Sequence, residues 1–352
     1  MLGTSFVKAG LVLRNGAADV VATRDLQRAL RALGYLKSGI DGSFGDGTEM
    51  AVQSLQYDLL ENDGSSHQGD GAAPVSVRGY NRTRVSNVTG EMDQDLAACI
   101  IDMLNDDEFP KLPRSDRPAD TNARIAAQLV AITNSDVPMP FLISMLRQES
   151  GLRHFCEPHA PDEDSYIVVG LDRNVKGRPE IVTSRGYGVG QYTLFHHPPT
   201  PGEVVDIMDD VARNISRAAR ELRDKFDGFV NGPSSGTRAD DRQYAGALRL
   251  CRFDPAIEPA KYMRACQVCA REASPRDIVP GQTPVYPGAS GTYERTQYYT
   301  YQGSPYENAK LREVPLAQDF LCDWPFAARR YNGSGPNSYN YQAIVLRNLL
   351  RG

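Results

Sequence analysis

The stretch MLRQESGL, residues 145–152, sets an acid at the end of an apolar helical run. Leu142, Met145 and Leu146 recur at helical spacing, and the next position on their stripe is Glu149. On such a face a carboxyl is withdrawn from water and its charged form is disfavoured. Its pKa then climbs toward the range a general acid needs near neutral pH. The competing reading is a helix-end residue turned into solvent ahead of Gly151, which would stop the helix.

Other residues with chemical potential lie further along. Gly186, Gly188 and Gly190 let the backbone turn tightly before Gln191, either to approach a ligand or simply to make a loop. Tyr331, Tyr339 and Tyr341 offer flat faces tipped with a hydroxyl, suited to stacking on a ring or to packing. Of six cysteines, Cys251, Cys266, Cys269 and Cys322 fall in the C-terminal third. Cys266 and Cys269 have the gap of a metal knuckle or a redox pair, and Cys251 with Cys322 could complete a four-thiolate site. A zinc ribbon normally carries a second tight pair, which is missing here, so disulfides or free thiols are the expected state. No HExxH motif occurs, and the adjacent His196 and His197 point apart, which argues against a zinc peptidase. No metal and no organic cofactor is expected.

At 352 residues the chain has material for two domains. Its net charge of −5, without any block of Lys and Arg, gives no electrostatic footprint for nucleic acid. The opening MLGTSFVKAGLVLRNG is too weakly apolar for an export signal, and no run reaches membrane-spanning length. From Ala22 to Leu60 two short amphipathic helices flank a Gly- and Asp-rich turn. Leu26, Leu30 and Leu33 form the first stripe, Gly34 its stop, and Met50, Val52, Leu55 and Leu59 the second. Residues 61–87 read as a flexible insertion, and a third helix starts from a cap region at Thr89–Asp93. Prolines and charges in FPKLPRSDRP mark a boundary. The expected division is a domain over residues 1–110, a linker over 111–119, and a second domain over 120–352. In the latter, Ile167–Leu171 and Glu180–Thr183 read as a hairpin, and residues 203–226 as one amphipathic core helix with Val204, Val205, Ile207, Met208, Val211, Ile215, Ala218 and Leu222 inward. The fold class is mainly α, with enough strand to be α+β.

The succession LQRALRALGYL, DGSFGDGTEMAVQSLQ and VTGEMDQDL resembles the three-helix peptidoglycan-binding domain of bacterial and phage cell-wall enzymes. The resemblance implies an N-terminal bundle whose turn, with Asp41, Gly42, Phe44 and Gly45, positions the second helix beside a wall-binding groove. The same residues suffice to make a turn and nothing more. Glu149-Ser150, then Gly188 to Gln191, then Tyr331-Asn332-Gly333 and a closing Tyr follow an order similar to that of lytic transglycosylases with a lysozyme-like fold. That resemblance implies Glu149 as catalytic acid and base, with Ser150 orienting the N-acetyl group or the acid. It also implies that Gly188, Gln191, Tyr331 and Asn332 line the sugar cleft with Tyr339 and Tyr341, and that the last Tyr hydrogen-bonds the glutamate. Gly190 replaces the family's usual Met, and the interval from Glu149 to Gln191 is longer than usual.

The implied activity is cleavage of the β-1,4 bond between MurNAc and GlcNAc in peptidoglycan. Such cleavage ordinarily takes two carboxyls. With Glu149 alone, the sugar's own hydroxyl serves as nucleophile and the enzyme is a lytic transglycosylase. With Asp162, Asp164, Asp172 or Glu180 as a second carboxyl, it is an inverting muramidase of the goose-lysozyme kind. A non-catalytic wall-binding protein is the remaining alternative. The expected partners are peptidoglycan and, for an antibacterial effector, an immunity protein. Without an export signal, the chain would be made in the cytoplasm and reach the periplasm through a secretion machine or, for a phage lysin, a holin.

Overall fold

Asp19 opens helix α1 (Val20–Ala32) by accepting the Ala22 N–H at 3.0 Å, and Asp93 opens α3 (Gln94–Asn105) through the Leu96 N–H at 2.9 Å. Between them α2 (Asp46–Glu61) starts with two acids in its first turn, which favour the positive end of the helix. Leu26, Leu30 and Leu33, then Val52, Leu55 and Leu59, then Leu96, Ile100 and Met103 enter one shared core. Burying each such side chain contributes about 1.5–3 kcal/mol. The computed structural model describes residues 3–37, 39–65, 71–131, 137–158, 163–231, 257, 260, 320, 322, 324–333 and 336–351. Over these it is mainly helical with two small antiparallel sheets, and no described helix is long and apolar enough to cross a membrane.

The stretch read as a flexible insertion is, over its described part, tied down. Val77 is fully buried in the helical core, the Tyr80 hydroxyl donates to Asp106 at 2.8 Å, and Arg84 meets Asp102 at 2.7 Å. Its polar composition hid these anchors, each of which is a single residue.

The chain forms two compact units: residues 1–125 with 153–214, and residues 126–152 with 215–352. This division differs from the expected one at residue 110. Residues 153–214 join the first unit because Phe155, Tyr166, Ile167, Val169, Tyr187 and Leu194 share a core with Ala32, Ile40 and Leu112. A buried polar cluster adds to it: Asp58 accepts both the Tyr35 hydroxyl at 2.8 Å and Arg185 Nη2 at 3.1 Å. This unit also holds β1 (Arg114–Ser115) antiparallel to β2 (Ser165–Tyr166), and the short helix α4 (Pro118–Ala123).

A second sheet corrects the expected hairpin. Strand β3 (Val169–Asp172) pairs antiparallel with β4 (Ser184–Tyr187), and β4 with β5 (Tyr192–Leu194). Glu180–Thr183 is therefore connection, and the strand takes in Gly186, the first of the three glycines expected to make a tight turn. Gly186 sits in it because Gln191 packs over that face, leaving no room for a side chain. The expected helix over 203–226 is also broken. A short α7 (Pro201–Glu203) runs into a π-turn at Val204–Met208, and α8 (Val211–Lys225) starts afresh after it. Val205, counted as inward, is 62% exposed because the wider turn rotates it out of the stripe.

The second unit holds most of α5 (Ile125–Ala131), then α6 (Met139–Ser150), most of α8, α9 (Trp324–Tyr331) and α10 (Pro336–Arg351). Helices α6, α9 and α10 pack on one another. The rings of Phe141 and Phe320 lie 6.1 Å apart, and those of Phe226 and Trp324 4.3 Å apart.

The turn after α1 is stitched to that helix by one buried side chain. Gln27 Nε2 faces Asp41 Oδ1, the Ser43 carbonyl and Thr48 Oγ1 at 2.9–3.0 Å, and Gln27 Oε1 accepts the Gly42 N–H at 2.8 Å. Gln27→Leu should strand these groups without partners and lower stability by about 2–4 kcal/mol. A shift of the denaturant midpoint to lower concentration at unchanged slope checks this; an unmoved midpoint would show the turn to be self-supporting.

Candidate active site

Helix α6 begins at a proline-rich entry and ends at Gly151, whose φ of +66° is the left-handed stop conformation. Leu142, Met145 and Leu146 are fully buried, and Glu149, next on their stripe, is half-buried where the helix leaves the core. Tyr341 of α10 is 5% exposed and donates its hydroxyl to Glu149 Oε1 at 2.5 Å. The ring of Tyr331, at the end of α9, stacks on Tyr341 with centroids 6.3 Å apart at 20°. Burial, reinforced by neighbouring carboxylate charge, pushes both phenols well above the ordinary tyrosine range. They stay protonated, so Tyr341 is a permanent donor to the acid.

Ser150 is buried and donates its hydroxyl to the Leu146 carbonyl at 3.1 Å, back along its own helix. Asn332 is exposed in the turn after α9, where its N–H meets the Arg329 carbonyl at 3.3 Å. Tyr339 lies in α10.

Glu221 of α8 belongs to this unit and was missed in the sequence. It is half-buried, with Lys225 Nζ 3.8 Å away, and burial raises its pKa against the pull of that lysine. Its charge also acts on Tyr331 and Tyr341, the same pair that receives the Glu149 charge. The signal was present: Glu221 follows Ala218 by three positions on a helix whose apolar stripe had been traced through Ala218 and Leu222.

The Gly188–Gln191 turn lies in the first unit, between β4 and β5. Gly188 has φ +71°, and a Cβ there would come within 2.6 Å of the His154 ring. His154 Nδ1 accepts the Val189 N–H at 3.2 Å, so Nε2 carries the proton and donates to the Met208 carbonyl at 2.7 Å. Asn214 accepts the Gly190 N–H at 2.7 Å and donates to the Tyr187 and Ile207 carbonyls. Gln191 folds back, Nε2 donating to the Gly188 carbonyl at 2.8 Å. The turn is thus built from buried polar residues, His154 and Asn214, that nothing in their local sequence announced.

The described acids proposed as a second carboxyl each have a partner of their own. Asp164 pairs with Arg28 at 2.7 Å and Arg114 at 2.6 Å, Asp172 accepts the Ser184 hydroxyl at 2.7 Å, and Glu180 pairs with Arg178. All three belong to the first unit, whereas Glu149 belongs to the second. Asp162 lies outside the described residues, as do Cys251, Cys266 and Cys269; Cys322 is buried. In the turn expected to meet the wall, Phe44 is 1% exposed and part of the helical core, so it fastens the turn and offers no surface to a ligand. Gly42, at φ +78°, leaves no room for a side chain beside Val20, and Gly45 caps α2.

Residues 21–59 match the family described as "Putative peptidoglycan binding domain". The match runs from the first turn of α1 almost to the end of α2 and stops short of α3. No curated protein and no solved structure matches the chain. The chain carries a peptidoglycan-binding domain within its first unit.

The His154 geometry has a consequence for acid stability. Burial lowers its pKa from 6.5 to about 4, so the folded state resists a proton that the unfolded chain accepts. Stability from this residue is complete above pH 6.5, is lost as pH falls, and levels off near pH 4. The whole window is worth roughly 3 kcal/mol. Denaturant unfolding at pH 7 and pH 4.5 should show the loss, and His154→Asn should flatten it. An equally steep fall in the variant would assign the acid sensitivity elsewhere.

Proposed function

We propose that the chain cleaves the glycan strand of bacterial peptidoglycan between MurNAc and GlcNAc as a lytic transglycosylase, with Glu149 as proton donor. The observation that carries this reading is the Tyr341–Glu149 hydrogen bond at 2.5 Å at the edge of the second unit's helical core. The peptidoglycan-binding domain at residues 21–59 supports the substrate class.

In the proposed reaction, protonated Glu149 gives its proton to the glycosidic oxygen as the bond to the muramyl C1 breaks. The carboxylate then takes the proton from the muramyl C6 hydroxyl as that oxygen closes on C1. No water is consumed. Tyr341 holds the carboxyl in one orientation through both steps, and the Tyr331 ring beside it offers a flat face to a sugar. The engagement of Asp164, Asp172 and Glu180 in other pairs supports a reaction run without them. As an enzyme delivered into rival cells by a secretion machine, it would require an immunity protein in the producer.

Glu221 favours a second reading. A half-buried carboxyl whose pKa is raised, acting on the same tyrosine pair, is suited to activate water. Under that reading the enzyme is a muramidase, and its products carry a hydrated reducing end.

Glu149→Gln should retain binding to purified sacculi and lose on the order of a hundredfold or more in release of soluble fragments. Unchanged release by the folded variant would refute the assignment. Tyr341→Phe removes a hydrogen bond to a charged group and should cost roughly tenfold or more in rate. Glu221→Gln separates the readings: an unchanged rate supports transglycosylation, and loss of hydrated products alone supports the muramidase.

A further inference from the structure

Where α2 ends, the first unit encloses a cavity of ≈ 200 Å³. Tyr57, Asp58, Glu61 and Asp63 line one side, and Arg185 and His197 line the other. The two walls are joined by Asn62 Nδ2, which donates to the His197 carbonyl at 3.0 Å. The family match ends at residue 59, so Glu61, Asp63, Arg185 and His197 lie outside it.

The charges in the cavity are unbalanced. Arg185 is matched by Asp58 at 3.1 Å. Among the described residues, Glu61 and Asp63 at the exposed rim form no ion pair; Asp63 accepts the Ser65 N–H at 3.0 Å and its hydroxyl at 2.6 Å, Glu61 feels the Arg178 charge, and the negative end of the α2 dipole adds to the negative field. The interior carries the complementary demand. His197 is 3% exposed, burial and the Arg185 charge keep its imidazole neutral, and no described hydrogen-bond donor reaches either ring nitrogen. Arg185 Nε is likewise buried without an acceptor. A buried lone pair and a buried N–H each cost free energy until a partner arrives. Among the described residues no three ligating side chains converge as a metal ion would require. The site calls for a hydrogen-bonding cation.

We propose that this cavity binds a primary ammonium group flanked by a carboxylate or carbonyl oxygen, presented by the free diamino side chain of an uncross-linked wall peptide. The ammonium sits between the Glu61 and Asp63 carboxylates with one N–H toward His197, and the flanking oxygen meets Arg185 Nε. The choice of wall peptide as source rests on the wall-binding reading of the first domain. The site makes the protein a reader of wall that is not fully cross-linked, where free amines remain.

The test uses the full-length chain, kept on ice, and purified peptidoglycan before and after N-acetylation with acetic anhydride. Acetylation removes the ammonium charge and leaves the glycan intact. Binding to acetylated wall should weaken about tenfold or more, the effect of losing a charged hydrogen bond. The double variant Glu61→Gln, Asp63→Asn changes only exposed side chains, and it should bind native wall as weakly as the unaltered chain binds acetylated wall. Equal retention of the unaltered chain on both walls overturns this proposal alone, as does unaltered binding by the double variant. Retention on neither wall overturns the wall-binding reading and the proposal together.

Discussion

The hydrogen bond from Tyr341 to Glu149 is the constraint around which the second unit is organised. A carboxyl at the edge of a helical core is costly to bury unless a donor meets it. The donor must come from another element, and α10 supplies it by lying along α6. A second tie, Asn348 Nδ2 to the Ser144 carbonyl at 3.3 Å, holds the same two helices further along. Gln342 Nε2 donates to the Pro325 carbonyl at 2.8 Å and fixes α10 to the start of α9, which brings Tyr331 against Tyr341. Three polar contacts between helices thus set the orientation of one acid, while apolar packing supplies most of the stability.

The first unit follows a different logic. Its helices share an ordinary apolar core, but residues 153–214 are joined to them by buried polar groups as well as by packing. Asp58 is the clearest case: it neutralises Arg185, accepts from Tyr35, and lies where α2 ends. Arg173 reaches Ser54 of the same helix at 2.7 Å, and Arg28 of α1 reaches Asp164. Such pairs contribute modest net stability but penalise any other docking of the segment, because a misplaced buried charge has no partner.

Much of this was legible in the sequence, and the reason varies by residue. The stripes of α1 and α2 were readable because each buries one face against a common core. Glu149 was readable because its position continued such a stripe. Glu221 escaped notice for the opposite reason: it flanks a stripe, and a flanking acid normally faces solvent. The strand at Ser184–Tyr187 was misplaced because Gly186 suggested a loop, whereas the glycine makes room for Gln191 in the sheet. The π-turn at Val204–Met208 left the hydrophobic pattern intact while rotating Val205 outward. His154 and Asn214 each act through several contacts to residues distant in sequence, and no periodicity records such contacts.

The central claim, that Glu149 delivers a proton to a glycosidic bond, is tested most directly by mass analysis of what the unaltered protein releases from purified peptidoglycan. The account calls for disaccharide-peptides ending in a 1,6-anhydro sugar, lighter by one water than the hydrolytic product. Hydrated reducing ends would keep Glu149 as the acid and replace transglycosylation with hydrolysis. Release of no new glycan ends, or only of peptides cut from intact glycan, would contradict the account.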